Sequence, residues 1–108
     1  MTEQTEPKTQ FFCDLTAMDA EQRARYRQVA QLMRAATPVI EELADGYALR
    51  FSMDSSLCLI VAEFMTLERL CCPFLDLTLE IARESGPMQL KLTGSEGVKP
   101  FLRAELGL

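Results

Sequence analysis

Two adjacent cysteines, Cys71 and Cys72, are the residues of this sequence that packing alone explains least. Pro73 follows them and disfavours helical backbone at the residue before it, so we expect Cys71 to end a helix and Cys72 to lie just beyond it. Glu68 precedes them by three and four positions, which on a helix places its carboxylate one turn away on the same side. The sequence therefore predicts two sulfurs and one carboxylate at a helix end.

The end of a helix also limits the chemistry that these groups can perform. Its partial negative charge disfavours a thiolate and attracts a cation, although Arg69 could offset part of this effect. Thiolates prefer soft ions such as zinc(II), copper(I) and mercury(II). We therefore predict a metal site with Cys71 and Cys72 as ligands, Cys13 as a third sulfur if the fold brings it near, and Glu68 as an oxygen ligand or an orienting group.

Other roles for these side chains stay open. Cys71 could simply continue the apolar stripe of its helix, as we expect for Cys58, because free cysteine is among the most buried residue types. A thiol redox protein is a second alternative, with Arg69 lowering one thiol pKa and Cys13 as the resolving thiol. A non-enzymatic dimeric interaction module with structural cysteines is a third. We assign no catalytic residue, and the pattern favours a binding protein over an enzyme.

The composition excludes several functions. None of the 108 residues is histidine, which removes Ser-His-Asp triads, HExxH sites and Cys₂His₂ fingers. The formal net charge of −5 argues against nucleic-acid binding, which needs clustered Lys and Arg. Residues 1–10 are polar, so we expect a disordered tail without a secretory signal, and hence a cytoplasmic protein with reduced cysteines.

Hydrophobic periodicity predicts one α+β domain over residues 11–108. Asp19, with Gln22 three residues later, is expected to cap a first helix, and Asp54-Ser55-Ser56 offers capping side chains for a second. Asp45-Gly46 is expected to supply the positive φ angles of a tight hairpin. Ser95 is expected to cap the final helix. The predicted elements are a helix over 19–36, two strands within 39–53, a helix over 57–72, strands over 75–81 and 88–92, and a short helix over 98–106.

The order α-β-β-α-β-β-α indicates a four-stranded antiparallel sheet with helices packed on one face. The helix over 57–72 is apolar around most of its circumference but too short and too charged to cross a membrane. We therefore expect it to be central or to lie in a homodimer interface. Its Glu63 is expected to emerge at an edge or to pair with a cation such as Arg50 or Lys91.

Four stretches, FFCDLTAM, ELADGYALRF, ERLCCPFLDL and LKLTGSEGVKPFL, resemble a family of small, largely uncharacterised bacterial proteins and domains. Its specific mark is E-R-x-C-C-P-F followed by a G-x-E-G-V-like segment, and the resemblance covers nearly everything after the tail. The resemblance implies a link to heavy-metal contexts, especially mercury. Cys13, Glu68, Cys71 and Cys72 match the motif positions that would matter there.

Overall fold

The computed structural model describes residues 11–108, so the tail expected over residues 1–10 lies outside the described part of the chain. A 3₁₀ turn over Leu15–Ala17 comes first. The other elements are helices α1 (Ala20–Ala35), α2 (Ser55–Cys71) and α3 (Val98–Leu106), and strands β1 (Val39–Leu43), β2 (Gly46–Phe51), β3 (Asp76–Ile81) and β4 (Met88–Thr93). The predicted order of helices and strands is confirmed.

Side chains at the predicted positions cap the two long helices. The Asp19 carboxylate accepts a hydrogen bond from the Gln22 backbone, and the Gln22 side chain accepts one from the Asp19 backbone. The Asp54 carboxylate accepts from the Leu57 N–H at the start of α2. These bonds satisfy backbone donors that have no partner within the helix, which is why both helices begin where they do.

The four strands form one antiparallel sheet in the order β1-β2-β4-β3. Leu49 of β2 pairs with Leu90 of β4, which in turn pairs with Leu79 of β3. Because paired residues of antiparallel strands point to the same side, this register gathers the apolar residues on one face, where the helices cover them. The opposite face carries polar side chains, including the ion pair of Arg50 with Glu41.

Two local predictions about turns and caps are wrong. The hairpin between β1 and β2 turns at Ala44 and Asp45, since Leu43 pairs with Gly46, and neither Asp45 nor Gly46 has a positive φ. Gly46 is needed for another reason: a Cβ there would lie 2.0 Å from the Leu92 carbonyl oxygen of the neighbouring strand. Ser95 does not cap α3, whose N-cap is Gly97 in left-handed backbone at φ 96°.

The core lies between the helix layer and the apolar face of the sheet. It includes side chains from every long helix and from the two central strands, and Cys71 and Cys72 belong to it. Within residues 11–108, each helix falls short of the length and apolarity that a membrane crossing requires. The fold therefore places the C-terminal end of α2, and with it both cysteines, in the interior.

Candidate functional site

The C-terminal end of α2 has the geometry that the sequence predicts. Cys71 is the last helical residue, and Cys72 has left the helix, with φ −131° and ψ 66°. The Cys72 N–H still donates to the Glu68 carbonyl at 2.7 Å, which holds the peptide between the two cysteines against the last turn. Both sulfur-bearing side chains are therefore anchored by the helix from which they come.

Cys13 reaches this helix end because the segment before α1 docks on it. The Asp14 N–H donates to the Cys71 carbonyl at 2.9 Å, satisfying one of the carbonyls that the helix leaves without a partner. Phe11 packs its ring on Phe74, with centroids 4.9 Å apart. These two contacts on either side of Cys13 place it beside Cys71 and Cys72.

The three sulfurs form a compact cluster. The Sγ atoms of Cys13, Cys71 and Cys72 all lie within 4.8 Å of one another, and those of Cys71 and Cys72 are 3.8 Å apart. Two thiolates that share an edge of a tetrahedral zinc site are also about 3.8 Å apart, as a Zn–S bond of about 2.3 Å requires. Cys71 and Cys72 are fully buried and Cys13 is half-buried, so the cluster has one side open toward the surface.

Glu68 lies against this cluster and is itself 3% exposed. Its Oε1 is 4.0 Å from the Cys71 Sγ and accepts a hydrogen bond of 2.6 Å from the Tyr26 hydroxyl. It is not part of the set whose ligand atoms all lie within 4.8 Å of one another. The carboxylate is thus adjacent to the sulfurs without sharing their central space, a position that suits an orienting group better than a ligand in this arrangement.

Burial favours the neutral forms of these groups. It raises the pKa of the Glu68 carboxyl above its ordinary value, despite the opposing hydrogen bond from Tyr26. Burial and the nearby Glu68 carboxylate raise the pKa of the Cys71 thiol to about 12. The pKa of the Cys72 thiol is raised too, first by its hydrogen bond with Cys13 and then by burial.

Within residues 11–108, the largest causes of these shifts are burial, the neighbouring thiols and the Glu68 carboxylate, and none of them is a cation. A reactive cysteine needs a neighbouring positive charge or a helix N-terminus to stabilise its thiolate, and this site offers the opposite helix end and a carboxyl group. Arg69, which the redox interpretation needs, is exposed. The three sulfurs could hold a cation, which would take the place of their protons.

Two residues of this site were not predicted. Tyr26 follows the apolar repeat of α1, and only its contact with Glu68, 42 positions away, gives its hydroxyl a role. Glu105 of α3 accepts a hydrogen bond of 3.4 Å from the Cys13 Sγ, across 92 positions of sequence. No local pattern connects such distant residues, so the sequence offered no signal for either.

Other singled-out residues lie away from the sulfurs. Cys58 is half-buried in the first turn of α2 and packs against the core, outside the three-sulfur cluster. Glu63 does pair with a cation, but with Arg25 of α1 through two bonds of 2.7 Å and not with Arg50 or Lys91. The prediction that Glu63 pairs with Arg50 or Lys91 is wrong, because these two residues pair with strand residues on the face of the sheet away from the helices.

Comparison with known proteins adds no relative: no family model, no curated protein and no solved structure matches this chain.

Proposed function

We propose that this protein binds one soft metal ion per chain through the sulfurs of Cys13, Cys71 and Cys72, with Glu68 as an oxygen ligand or an orienting group. The observation that carries the proposal is the convergence of three sulfur atoms within 4.8 Å in a fold with few cysteines. The docking of the segment before α1 adds the Cys13 sulfur to the two buried cysteines of α2. Thiolates select zinc(II), copper(I) and mercury(II) among the available ions.

The surroundings of the cluster support a cationic occupant. The sulfurs lie at the C-terminal end of α2, where helix carbonyls attract positive charge, and Glu68 adds a carboxyl group. An ion would also replace the protons of the Cys71 and Cys72 thiols, whose raised pKa keeps them neutral otherwise. The likeness of ERLCCPFLDL to bacterial proteins of mercury-related contexts makes mercury(II) the second ion to test beside zinc(II).

The test is native mass spectrometry of the reduced protein with zinc(II) and mercury(II) in turn, each challenged with excess glutathione. Any exposed thiol binds mercury, but only a preorganised site retains an ion against a large pool of free thiols. We expect one ion per chain to be retained. Loss of both ions to glutathione would overturn the proposal and leave the cysteines as core residues.

Cysteine variants assign the ligands. We expect the double variant Cys71→Ser and Cys72→Ser to lose the ion, and Cys13→Ser to retain it more weakly. Cys58→Ser is the matched control, since this cysteine lies on the same helix outside the cluster. Unchanged affinity in the double variant would reject the site, and unchanged affinity in Cys13→Ser would remove the third ligand. Circular dichroism of each variant separates loss of a ligand from loss of the fold.

The proposal includes a reducing compartment such as the cytoplasm, because oxidation of the free sulfurs would consume the ligands.

We also propose that the protein forms a homodimer. Leu59 on α2 and Ile81 at the edge strand β3 are 73% and 51% exposed, and a second copy could cover them. Light scattering tests this part: the mass of a single chain at all concentrations would remove the dimer and leave the metal site in place.

A further inference from the structure

A second candidate site is a cavity of about 740 Å³ beside the thiol cluster. It lies between α1 and α3, above the strands β1, β2 and β4, and its size falls in the range of about 300–1,000 Å³ that is typical of small-molecule sites. Most of its wall is apolar. Side chains from all three helices and the sheet contribute to that part of the wall: Ala30, Met33, Leu49, Phe64, Leu92 and Leu102.

Two carboxyl groups are among the polar groups of the cavity, which also include Arg27, Gln31, Arg34 and Thr37. Tyr26 and Glu68 line it and are hydrogen-bonded to each other, and Glu105 of α3 lies close enough for its charge to act on Glu68. Among residues 11–108, neither carboxylate forms an ion pair within 4.0 Å. Glu68 is only 3% exposed, so a buried carboxyl group that has no ion-pair partner among the described residues forms part of the cavity wall.

Aromatic rings accompany these carboxyl groups. Tyr26 and Phe64 stack with their ring centroids 5.8 Å apart, and both side chains line the cavity. Aromatic faces attract alkylammonium groups, and carboxylates pair with them. From Tyr26 the cavity extends along α1 to Arg34, about 12 Å at 1.5 Å per residue, which is room for a medium-length alkyl chain.

We propose that this cavity binds an amphipathic organic cation, a primary alkylammonium whose charged end meets Glu68, Glu105 and the Tyr26 ring while its chain lies over the apolar wall. Arg27 and Arg34 of α1 also line the cavity; both are exposed, as is Glu105, whereas Glu68 is buried. Solvent screens their charge more than it screens the buried carboxyl group. The inference does not rest on the metal site.

The experiment is isothermal titration of the full, metal-free protein with n-octylamine, sodium octanoate and 1-octanol. We expect octylamine to bind at one per chain and at least about tenfold more tightly than the other two, because only its head forms charged hydrogen bonds with the carboxylates. Octanoate binding as tightly as octylamine would overturn the assignment and indicate that the arginines select an anion. Equal binding of octanol would show that the cavity recognises the chain alone, which also overturns it.

Two matched pairs of variants locate the ligand. Ala30→Leu fills the cavity and should weaken octylamine about tenfold or more, whereas Ala24→Leu on the exposed side of the same helix should leave it unchanged. Glu68→Gln should also weaken octylamine binding about tenfold or more. Glu63→Gln should leave it unchanged, since Glu63 pairs with Arg25 outside the cavity. If Glu68→Gln fails to fold, Ala30→Leu decides the question. Unchanged affinity in Ala30→Leu would overturn the site.

Failure of this inference is distinguishable from failure of the metal site. The double variant of Cys71 and Cys72 to serine should lose the ion and still bind octylamine. Ala30→Leu should lose octylamine and still retain the ion against glutathione. Loss of both ligands in either variant would contradict the separation of the two sites.

Discussion

Two glutamates of α2, five positions apart, differ in almost every physical respect. Glu63 faces Arg25 at the surface, with two hydrogen bonds of 2.7 Å and a side chain 37% exposed. Glu68 faces Tyr26, the next residue of α1, and is 3% exposed. One carboxylate has a cation and water, while the other has a neutral phenol, buried sulfurs and an apolar cavity.

This difference reverses the effect of the protein on the two carboxyl groups. The Arg25 guanidinium lowers the pKa of Glu63, whereas burial raises the pKa of Glu68. The Arg25 pair is of a kind that contributes little to stability, because water already solvates both charges. Glu68 is held where a charge is costly unless a cation arrives, which is the condition of a binding site.

The largest expected difference between the two glutamates concerns metal affinity. Glu68→Gln should weaken the binding of zinc(II) about 10–100-fold, because groups beside metal ligands orient them and tune their basicity. Glu63→Gln should bind the ion as the wild type does. Competition with a chromophoric chelator measures both. Equal affinity of the two variants would remove Glu68 from the site.

The next expected effect is on the stability of the metal-free protein. Tyr26→Phe removes the hydroxyl that donates a hydrogen bond to Glu68. The free energy of unfolding should therefore fall by about 1–3 kcal/mol. Arg25→Gln, its neighbour on α1, should lower it less because the pair with Glu63 is exposed to solvent. Urea unfolding gives both values. A larger loss in Arg25→Gln would contradict the contrast between the two sites.

The pH dependence of stability should differ in sign. With its folded pKa raised above 4.5, Glu68 holds a proton in the folded state that the unfolded chain releases, so its contribution to stability falls as pH rises above 4.5. With its folded pKa lowered, Glu63 contributes stability above 4.5 that is lost as pH falls through its folded pKa. Both statements concern the metal-free protein.

Urea unfolding at a series of pH values below neutrality measures this prediction. The difference in unfolding free energy between wild type and Glu68→Gln should decrease with rising pH, and the difference between wild type and Glu63→Gln should decrease with falling pH. Parallel curves for the two variants would show that both carboxyl groups titrate in similar surroundings.

The smallest expected effect is that of salt. Raising the ionic strength from about 0.01 M to about 1 M shortens the Debye length from about 30 Å to about 3 Å, which screens exposed charges most. The stability difference between wild type and Arg25→Gln should therefore shrink, while that between wild type and Tyr26→Phe stays nearly constant. Urea titrations of wild type and both variants at the two salt concentrations measure these differences. A salt-dependent difference for Tyr26→Phe would contradict the burial of the contact between Tyr26 and Glu68.

Much of the fold could be predicted because it depends on relations between near neighbours. The caps at Asp19 and Asp54, the end of α2 before Pro73 and the alternation in β4 each involve residues within four positions of one another. The prediction for the first hairpin missed the role of a distant backbone. Gly46 looked like a turn glycine but is instead constrained by the Leu92 carbonyl of another strand.

The site divides in the same way. Glu68, Cys71 and Cys72 share one helix end, so their proximity follows from helical spacing alone. Glu63 pairs with Arg25, and not with Arg50 or Lys91, because α1 packs beside α2. The spacing of residues within α2 carries no information about this packing.

The sequence by itself determined the secondary structure, the antiparallel α+β architecture and the carboxylate that lies one turn before two adjacent sulfurs, because each follows from local backbone geometry and hydrophobic periodicity. Only the tertiary structure decided that Cys13 joins those sulfurs, that Tyr26 holds Glu68 and that a cavity opens beside them. These contacts join residues that are tens of positions apart. Their formation depends on how whole elements pack, which no local pattern encodes.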